Sequence, residues 1–275
     1  METTYAKKKK MKHNKKIGQK IDFGSDNLVI CKEKNGIATL TLNRPKKFNS
    51  LSEEMITVIQ KILEEIAKNK SIKIVIIQGA GKSFCAGHDL KEMIDTREEN
   101  YYKSLFLKCS KMMMTINQIP QPVIAKVHGI ATAAGCQLVA ACDLAVASSD
   151  ARFATSGVNI GLFCSTPAVP ISRNISRKRA MELLLTGEFI DSNEALNWGL
   201  INRVTSLEKL DQEVEILVNT ILSKPTVAIF TGKKMFYKQL ERNTEEAYAY
   251  ASKIMACNMM AEEVDDGVKT FFKKK

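Results

Sequence analysis

Short blocks of aliphatic and β-branched residues, separated by stretches with helical spacing, set the pattern of this chain. Leu28 to Cys31 and Ile37 to Leu42 flank Lys34-Asn35-Gly36. Asn-Gly between two β-rich runs predicts a tight hairpin, because both central turn positions need positive φ. Met55, Ile59, Ile62, Leu63 and Ile66 recur every three or four positions, the stripe of an amphipathic helix, and Ser50 with Glu53 reads as a capping box ahead of it. Ile72 to Ile77 is almost continuously apolar, as expected of a strand covered on both faces in a parallel sheet. Val123 to Val127 and Leu144 to Ala147 repeat that pattern, with an Ala-rich helical stretch at Ala134 to Ala141 between them. Strand, helix, strand, helix predicts right-handed crossovers and an α/β core.

From Arg177 onward the spacing predicts helices over Arg177 to Leu185, Asn193 to Asn197, Leu207 to Leu222, Thr226 to Leu240 and Glu245 to Ala261, then a final segment from Val268 to Lys275. One strand, Leu200 to Val204, interrupts them. No internal repeat or composition break marks a second domain. The expected organisation is a Lys-rich tail over residues 1–26, an α/β core over 27–205, and a C-terminal helical region of the same domain over 206–275.

Composition changes this picture in three places. An apolar fraction of 45% in 275 residues suffices for one packed core, and no run reaches the roughly 18 to 20 apolar residues of a membrane span. The seven cysteines are odd in number and scattered, with no Cys-x-x-Cys, so neither a disulfide framework nor a metal site is expected. The net charge of +11 is mostly a tail, since residues 1–20 hold eight Lys and one Glu, leaving about +4 for the rest. A solvated tail is the plain reading and contact with nucleic acid the less favoured one. The same twenty residues lack the Arg and Ser of a mitochondrial presequence, which ranks the cytoplasm above the mitochondrial matrix.

Candidate chemistry sits in two small-residue segments that follow predicted buried strands: Gly79 to Leu90, and His128 to Gln137. Ligands of α/β sheets collect at strand carboxyl ends, where a helix N-terminus offers free N–H groups to an anion or developing oxyanion. Gly81-Lys82-Ser83 matches the end of a nucleotide-binding P-loop, but the first glycine of that motif is replaced by Ile76 inside a strand. Nucleotide hydrolysis is therefore not expected.

In register, these segments resemble the crotonase (enoyl-CoA hydratase/isomerase) superfamily over about residues 27–275. Asn43-Arg44-Pro45 with Asn49-Ser50-Leu51 is similar to its opening signature. Phe84 to Leu90 is similar to its first oxyanion-hole motif, and Gly135 to Leu138 with Ala141 to Leu144 to its second. Phe153, Gly161 and the stretch from Leu185 to Ile201 follow in the family's order. The resemblance implies a crotonase spiral of ββα units with a helical C-terminal region that builds homotrimers or hexamers. It implies a lyase of fatty acid metabolism that acts on an acyl-CoA or enoyl-CoA thioester and needs no resident cofactor, coenzyme A being carried by the substrate. By position, the backbone N–H groups of His88 and Ala134 would form the oxyanion hole. Ala86, Asp89, Leu90 and Lys91 would continue the binding segment, and Lys46, Lys47, Phe48, Phe271 and Lys274 match positions that meet coenzyme A. Asp89 reads equally as a helix N-cap, and the lysines as merely solvated.

The departures matter as much. Gln137 and Gly157 occupy the positions of the two glutamates by which a family hydratase activates water and delivers a proton. Gln can orient a water but not deprotonate it, and Gly can do neither. Cys164, Ser165 and Thr166 stand where family isomerases place a carboxylate. The segment from Val158 to Pro167 is most similar to a subgroup that shares this acid-poor site. A hydratase-like enzyme with reduced or altered activity is the leading expectation, and an acyl-CoA-binding protein with little turnover the alternative. His88 is a candidate acid or base that could titrate near neutrality. His128 reads as structural, and Cys85, Cys136 and Cys164 as small apolar fillers rather than nucleophiles.

Overall fold

The computed structural model describes residues 28–273, so the Lys-rich tail and Lys274 lie outside the described residues. Strands β1 (Val29–Lys34) and β2 (Ile37–Leu42) form the predicted hairpin, with Asn35 and Gly36 at φ 53° and 78°. Helix α1 (Glu53–Lys68) returns the chain to β3 (Ile74–Gly79), which pairs parallel to β2. The cap of α1 is Ser52, which accepts from the Met55 N–H at 3.2 Å, and not Ser50 as the capping-box pattern predicts. The reason is tertiary: the Arg44 guanidinium takes the Ser50 carbonyl, and Glu92 reaches across to accept from the Glu53 N–H. Six apolar residues of α1 are buried, each worth about 1.5 to 3 kcal/mol.

Helices α2 (Leu90–Asp95) and α3 (Glu99–Gln118) lead to β4 (Val123–Val127). Two similar units follow, each placing one strand in a large sheet, one in a small sheet, and then helix. The first is β4, β5 (Ile130–Thr132) and α4 (Ala134–Ala141); the second is β6 (Leu144–Ser148), β7 (Arg152–Ala154) and α5 (Ser165–Asn174). Helix α6 (Arg177–Thr186), strand β8 (Ile190–Asp191), helix α7 (Ser192–Trp198) and strand β9 (Arg203–Thr205) complete the core. The large sheet runs β1-β2-β3-β4-β6-β9, parallel except for the first pair, and the small one β5-β7-β8. This is the expected spiral of ββα units.

Both faces of the large sheet are covered, which explains its unbroken apolar runs. Ile74, Ile124 and Val146 pack on Leu210, Val214, Leu217 and Val218 of α8 (Leu210–Leu222). Their neighbours Val75, Ile77, Val123, Ala125 and Ala145 face the main core with α1 and α3. Helices α9 (Thr226–Leu240), α10 (Thr244–Met259) and α11 (Glu262–Lys273) form the helical C-terminal region but contribute no buried residue to the core. They leave Phe236, Leu240, Met255, Met259 and Phe272 exposed. No single helix among the described residues is long and apolar enough to cross a membrane.

What anchors α9 is polar. Lys233 Nζ donates to the carbonyls of Ile116 and Gln121 at 2.7 and 2.8 Å and pairs with Asp143 at 2.6 Å. The Tyr237 hydroxyl and the Val123 N–H also donate to Asp143. Burial raises the Asp143 carboxyl and lowers the Lys233 ammonium, and the charge and hydrogen bond of each partner oppose that shift only in part.

Candidate active site

The two segments singled out in the sequence follow β3 and β4 and are stitched together through Cys85. Its N–H donates to the Ile130 carbonyl at 3.1 Å, and its own carbonyl accepts from the Thr132 N–H at 3.0 Å. This bridge between Cys85 and Ala131 extends the small sheet by one residue and sets the separation of the segments.

The direction of each N–H follows from what its own peptide carbonyl does. Leu51 N–H donates to the Gly87 carbonyl at 2.7 Å, and Asp89 N–H donates to the Leu51 carbonyl at 3.0 Å. In a trans peptide the N–H points opposite to the C=O. With the Gly87 carbonyl facing residue 51, the His88 N–H faces away from it. Gly87 itself lies against the second segment, since a Cβ there would stand 2.9 Å from the Ala133 Cβ and 3.4 Å from the Ala134 nitrogen. The Ala133 carbonyl accepts from the Gln137 N–H inside α4, so the Ala134 N–H points out of the helix N-terminus. Among the described residues, neither the His88 N–H nor the Ala134 N–H has an acceptor.

Two features keep this arrangement rigid. Ala133 has φ 50° and ψ −119°, a conformation that glycine adopts easily and alanine at a cost of about 1 to 3 kcal/mol. It turns the chain sharply from β5 into α4. On the other side, Arg44 donates to the Ser50 carbonyl and pairs with Asp89 at 2.7 Å, while Lys47 reaches the same carboxylate at 3.3 Å. Asp89 also caps α2 by accepting from the Glu92 N–H. Burial acts to raise its carboxyl, but these hydrogen bonds outweigh it and hold the group below the usual carboxylate range. Of the two readings of Asp89, the N-cap is the one formed. Arg44 was not a candidate, because nothing in the sequence pairs it with a residue so far along the chain.

The turn holding Lys46, Lys47 and Phe48 packs beside this segment, with the Ala86 N–H donating to the Phe48 carbonyl at 3.0 Å. Lys46, Phe48, Leu90 and Lys91 are exposed, and Ala86 is half-buried. Phe271 lies on α11, its ring edge-on to Phe272.

His88 does not meet its expectation. Among the described residues, neither of its buried ring nitrogens has a hydrogen-bond partner, and the ring stands edge-on to Phe106 of α3. Burial pushes its pKa down to about 4, the nearby Leu51 carbonyl opposing only in part. At neutral pH the ring is uncharged and turned into the protein. Since an unfolded histidine titrates near 6.5, the folded chain binds fewer protons between pH 6.5 and about 4. The stability present above pH 6.5 is thus lost as pH falls towards 4, by about 2 to 3 kcal/mol from this residue. Urea unfolding across that window should show a shallower decline in His88→Leu than in the native sequence; equal slopes would refute the assignment.

Gln137 follows Ala134 by one helical turn on the same face. It is 2% exposed, and among the described residues its carboxamide oxygen has no hydrogen-bond partner. Gly157 is sterically required: a Cβ would stand 2.4 Å from the Leu162 carbonyl oxygen and 2.8 Å from the Cys164 sulfur. The sequence shows that an acid is missing at 157; the structure shows that no side chain fits. Burial pushes the Cys85 and Cys136 thiols up to about 12 and raises Cys164, which leaves them as apolar fillers. His128 is structural, its Nε2–H donating to the Gly81 carbonyl at 2.8 Å.

Residues 32–275 match the enoyl-CoA hydratase/isomerase family. The chain is 42% identical over 248 residues to the mitochondrial enoyl-CoA hydratase domain-containing protein 3 of Mus musculus, covering 90% of this chain and 83% of that protein. Among solved structures, an enoyl-CoA hydratase of Mycobacterium smegmatis is 51% identical with a TM-score of 0.89, over 90% of this chain and 97% of that one. Human enoyl-CoA hydratase domain-containing protein 3 is 42% identical with a TM-score of 0.86, over 90% and 98% of the two chains. A matching fold, the motifs in register and these likenesses lead to one conclusion: the chain belongs to the enoyl-CoA hydratase/isomerase family and has its crotonase fold.

Proposed function

We propose that the protein binds an acyl group as its coenzyme A thioester and stabilises the thioester enolate through the backbone N–H groups of His88 and Ala134. The observation that supports this is the pair of N–H groups that lack an acceptor among the described residues, each aimed by a hydrogen bond on its own peptide's carbonyl. Charge that develops on the thioester oxygen would meet two fixed dipoles in a dry setting. Lys46 and Lys47, exposed beside the segment, supply positive charge for the phosphates of coenzyme A. No resident cofactor is required.

Hydration of an enoyl thioester by this site is slow in comparison with an enzyme that keeps both carboxylates. Gln137 orients a water, but neither it nor Gly157 takes or gives a proton, and each such group contributes about 10² to 10⁴ in rate. Exposed apolar residues on α9 to α11 support assembly as a homotrimer or hexamer. The mitochondrial designation of the matched mouse protein favours the mitochondrial matrix over the cytoplasm for this chain.

Ala134→Pro tests the reading. Proline is tolerated at the first position of a helix, where its missing N–H costs no intrahelical bond. Crotonyl-CoA hydration by this variant should fall about 10²- to 10³-fold, with helical circular dichroism unchanged. Equal rates in the two proteins would sink the proposed role of that N–H.

A further inference from the structure

The two donors of the site follow different residues. His88 comes after Gly87, which has no Cβ and takes φ 96°. Ala134 comes after Ala133, which carries a methyl group at φ 50° and ψ −119°.

The place of that methyl follows from the backbone angles. In an L-residue Cβ stands about 120° round the Cα–C bond from the residue's own nitrogen, so that a ψ of roughly +60° sets it against the following carbonyl oxygen. A ψ of −119° lies half a turn away and sets the Ala133 methyl in eclipse with the Ala134 nitrogen. In a trans peptide the amide hydrogen lies on the same side as the preceding Cα. The methyl and the Ala134 N–H therefore lie side by side in one plane.

An acceptor on the axis of that N–H meets the methyl. With standard bond lengths, an oxygen about 2.9 Å from the Ala134 nitrogen and in line with its hydrogen would stand only about 2.3 Å from the Ala133 Cβ. Carbon–oxygen contacts come no closer than about 3.3 Å. The oxygen must swing roughly 25° off the axis, which leaves an N–H···O angle of about 145°, short of the range that strong bonds prefer.

Neither peptide can turn to relieve this. The Ala133 N–H donates to the Ala154 carbonyl at 3.0 Å, and the Ala133 carbonyl accepts from the Gln137 N–H at 3.0 Å. Gly87 makes room for the methyl, since a Cβ there would stand 2.9 Å from the Ala133 Cβ. A strained alanine persists because its surroundings fix both of its dihedral angles.

We propose that the Ala133 methyl masks the Ala134 N–H and so limits how strongly this site holds a thioester oxygen. The inference rests on the thioester reading above. It makes the oxyanion hole unequal: the His88 N–H, which follows a glycine, has no such cover and is the stronger donor. Glycine at 133 keeps the same backbone and uncovers the second donor.

The test compares the full chain with Ala133→Gly and Ala133→Ser, using butyryl-CoA labelled with ¹³C at the thioester carbonyl. In Ala133→Gly, calorimetric binding should tighten about three- to tenfold, the worth of one improved hydrogen bond. The infrared stretch of the bound carbonyl should move to lower wavenumber, a signature that a merely structural change would not produce. Serine retains the Cβ, so Ala133→Ser should match the native chain in both. Release of the strain should raise the unfolding midpoint of Ala133→Gly by roughly 2 to 5 °C, after allowance for the freedom of glycine in the unfolded chain. Butyryl-CoA bound with the same affinity and the same stretch in all three proteins overturns the masking and leaves the thioester reading standing. Gains in Ala133→Ser equal to those in Ala133→Gly overturn the assignment to the methyl. A lower midpoint in Ala133→Gly overturns the strained geometry from which the masking follows. Absence of butyryl-CoA binding by all three overturns the thioester reading, and this inference with it.

Discussion

Gly135→Ala is expected to abolish thioester binding and to lower the unfolding midpoint by roughly 6 to 12 °C. An added Cβ would stand 2.0 Å from the Cys85 carbonyl oxygen and 2.7 Å from its carbon. Both atoms are backbone and are held by hydrogen bonds to β5, so no side chain can swing aside to make room. The N-terminus of α4 must retreat, and with it the Ala134 N–H, so the two donors separate. We set the cost at about 3 kcal/mol or more, the upper range for a single substitution. Calorimetry with butyryl-CoA and a thermal melt read the two effects. Gly232→Ala in α9, where nothing lies within 4 Å of the added atom, is the control and should be neutral or slightly stabilising. A Gly135→Ala protein that melts and binds like the control would contradict this account of the join.

Lys233→Met should cost about 3 to 5 kcal/mol, because it strands the Asp143 carboxylate in a desolvated site. The Tyr237 hydroxyl and the Val123 N–H would remain as donors, yet the charge would have no counterion, and the Ile116 and Gln121 carbonyls would lose theirs. The double substitution Lys233→Met with Asp143→Asn removes both charges and should be milder than the single change. Urea unfolding of the four proteins of that cycle gives the coupling directly. A single-variant loss below about 1 kcal/mol would mean that α9 is held by something other than this cluster.

The large sheet was legible because a strand covered on both faces is apolar at nearly every position, as Val123 to Val127 shows. The hairpin was legible because Asn35 and Gly36 name their own turn. Helix α3 was not, since exposed Leu107 and Met114 blur the stripe made by Leu105, Cys109, Met112, Met113 and Ile116. Pro170 hid α5 by sitting inside it, and β5, β7 and β8 are too short to show alternation. The same gap misled the reading of His88: its burial depends on Phe106, a residue of the unseen α3. At the site, residue order along the motifs gave the positions 88 and 134, and the aim of the Ala134 N–H follows from the predicted helix through its first-turn bond from Gln137 to Ala133, but the aim of the His88 N–H depends on Leu51, a contact that no local pattern encodes.

Gly157 also decides which way this site can change under mutation. Exchanging Gln137 for Glu alters one atom of a side chain that already has its space. An acid at 157 is different, because the Leu162 carbonyl and the Cys164 sulfur occupy its volume. The loop from Val158 to Cys164 must be rebuilt before any residue larger than glycine is admitted there. A carboxylate can thus be installed at 137 by one substitution, whereas at 157 it needs the loop to change as well.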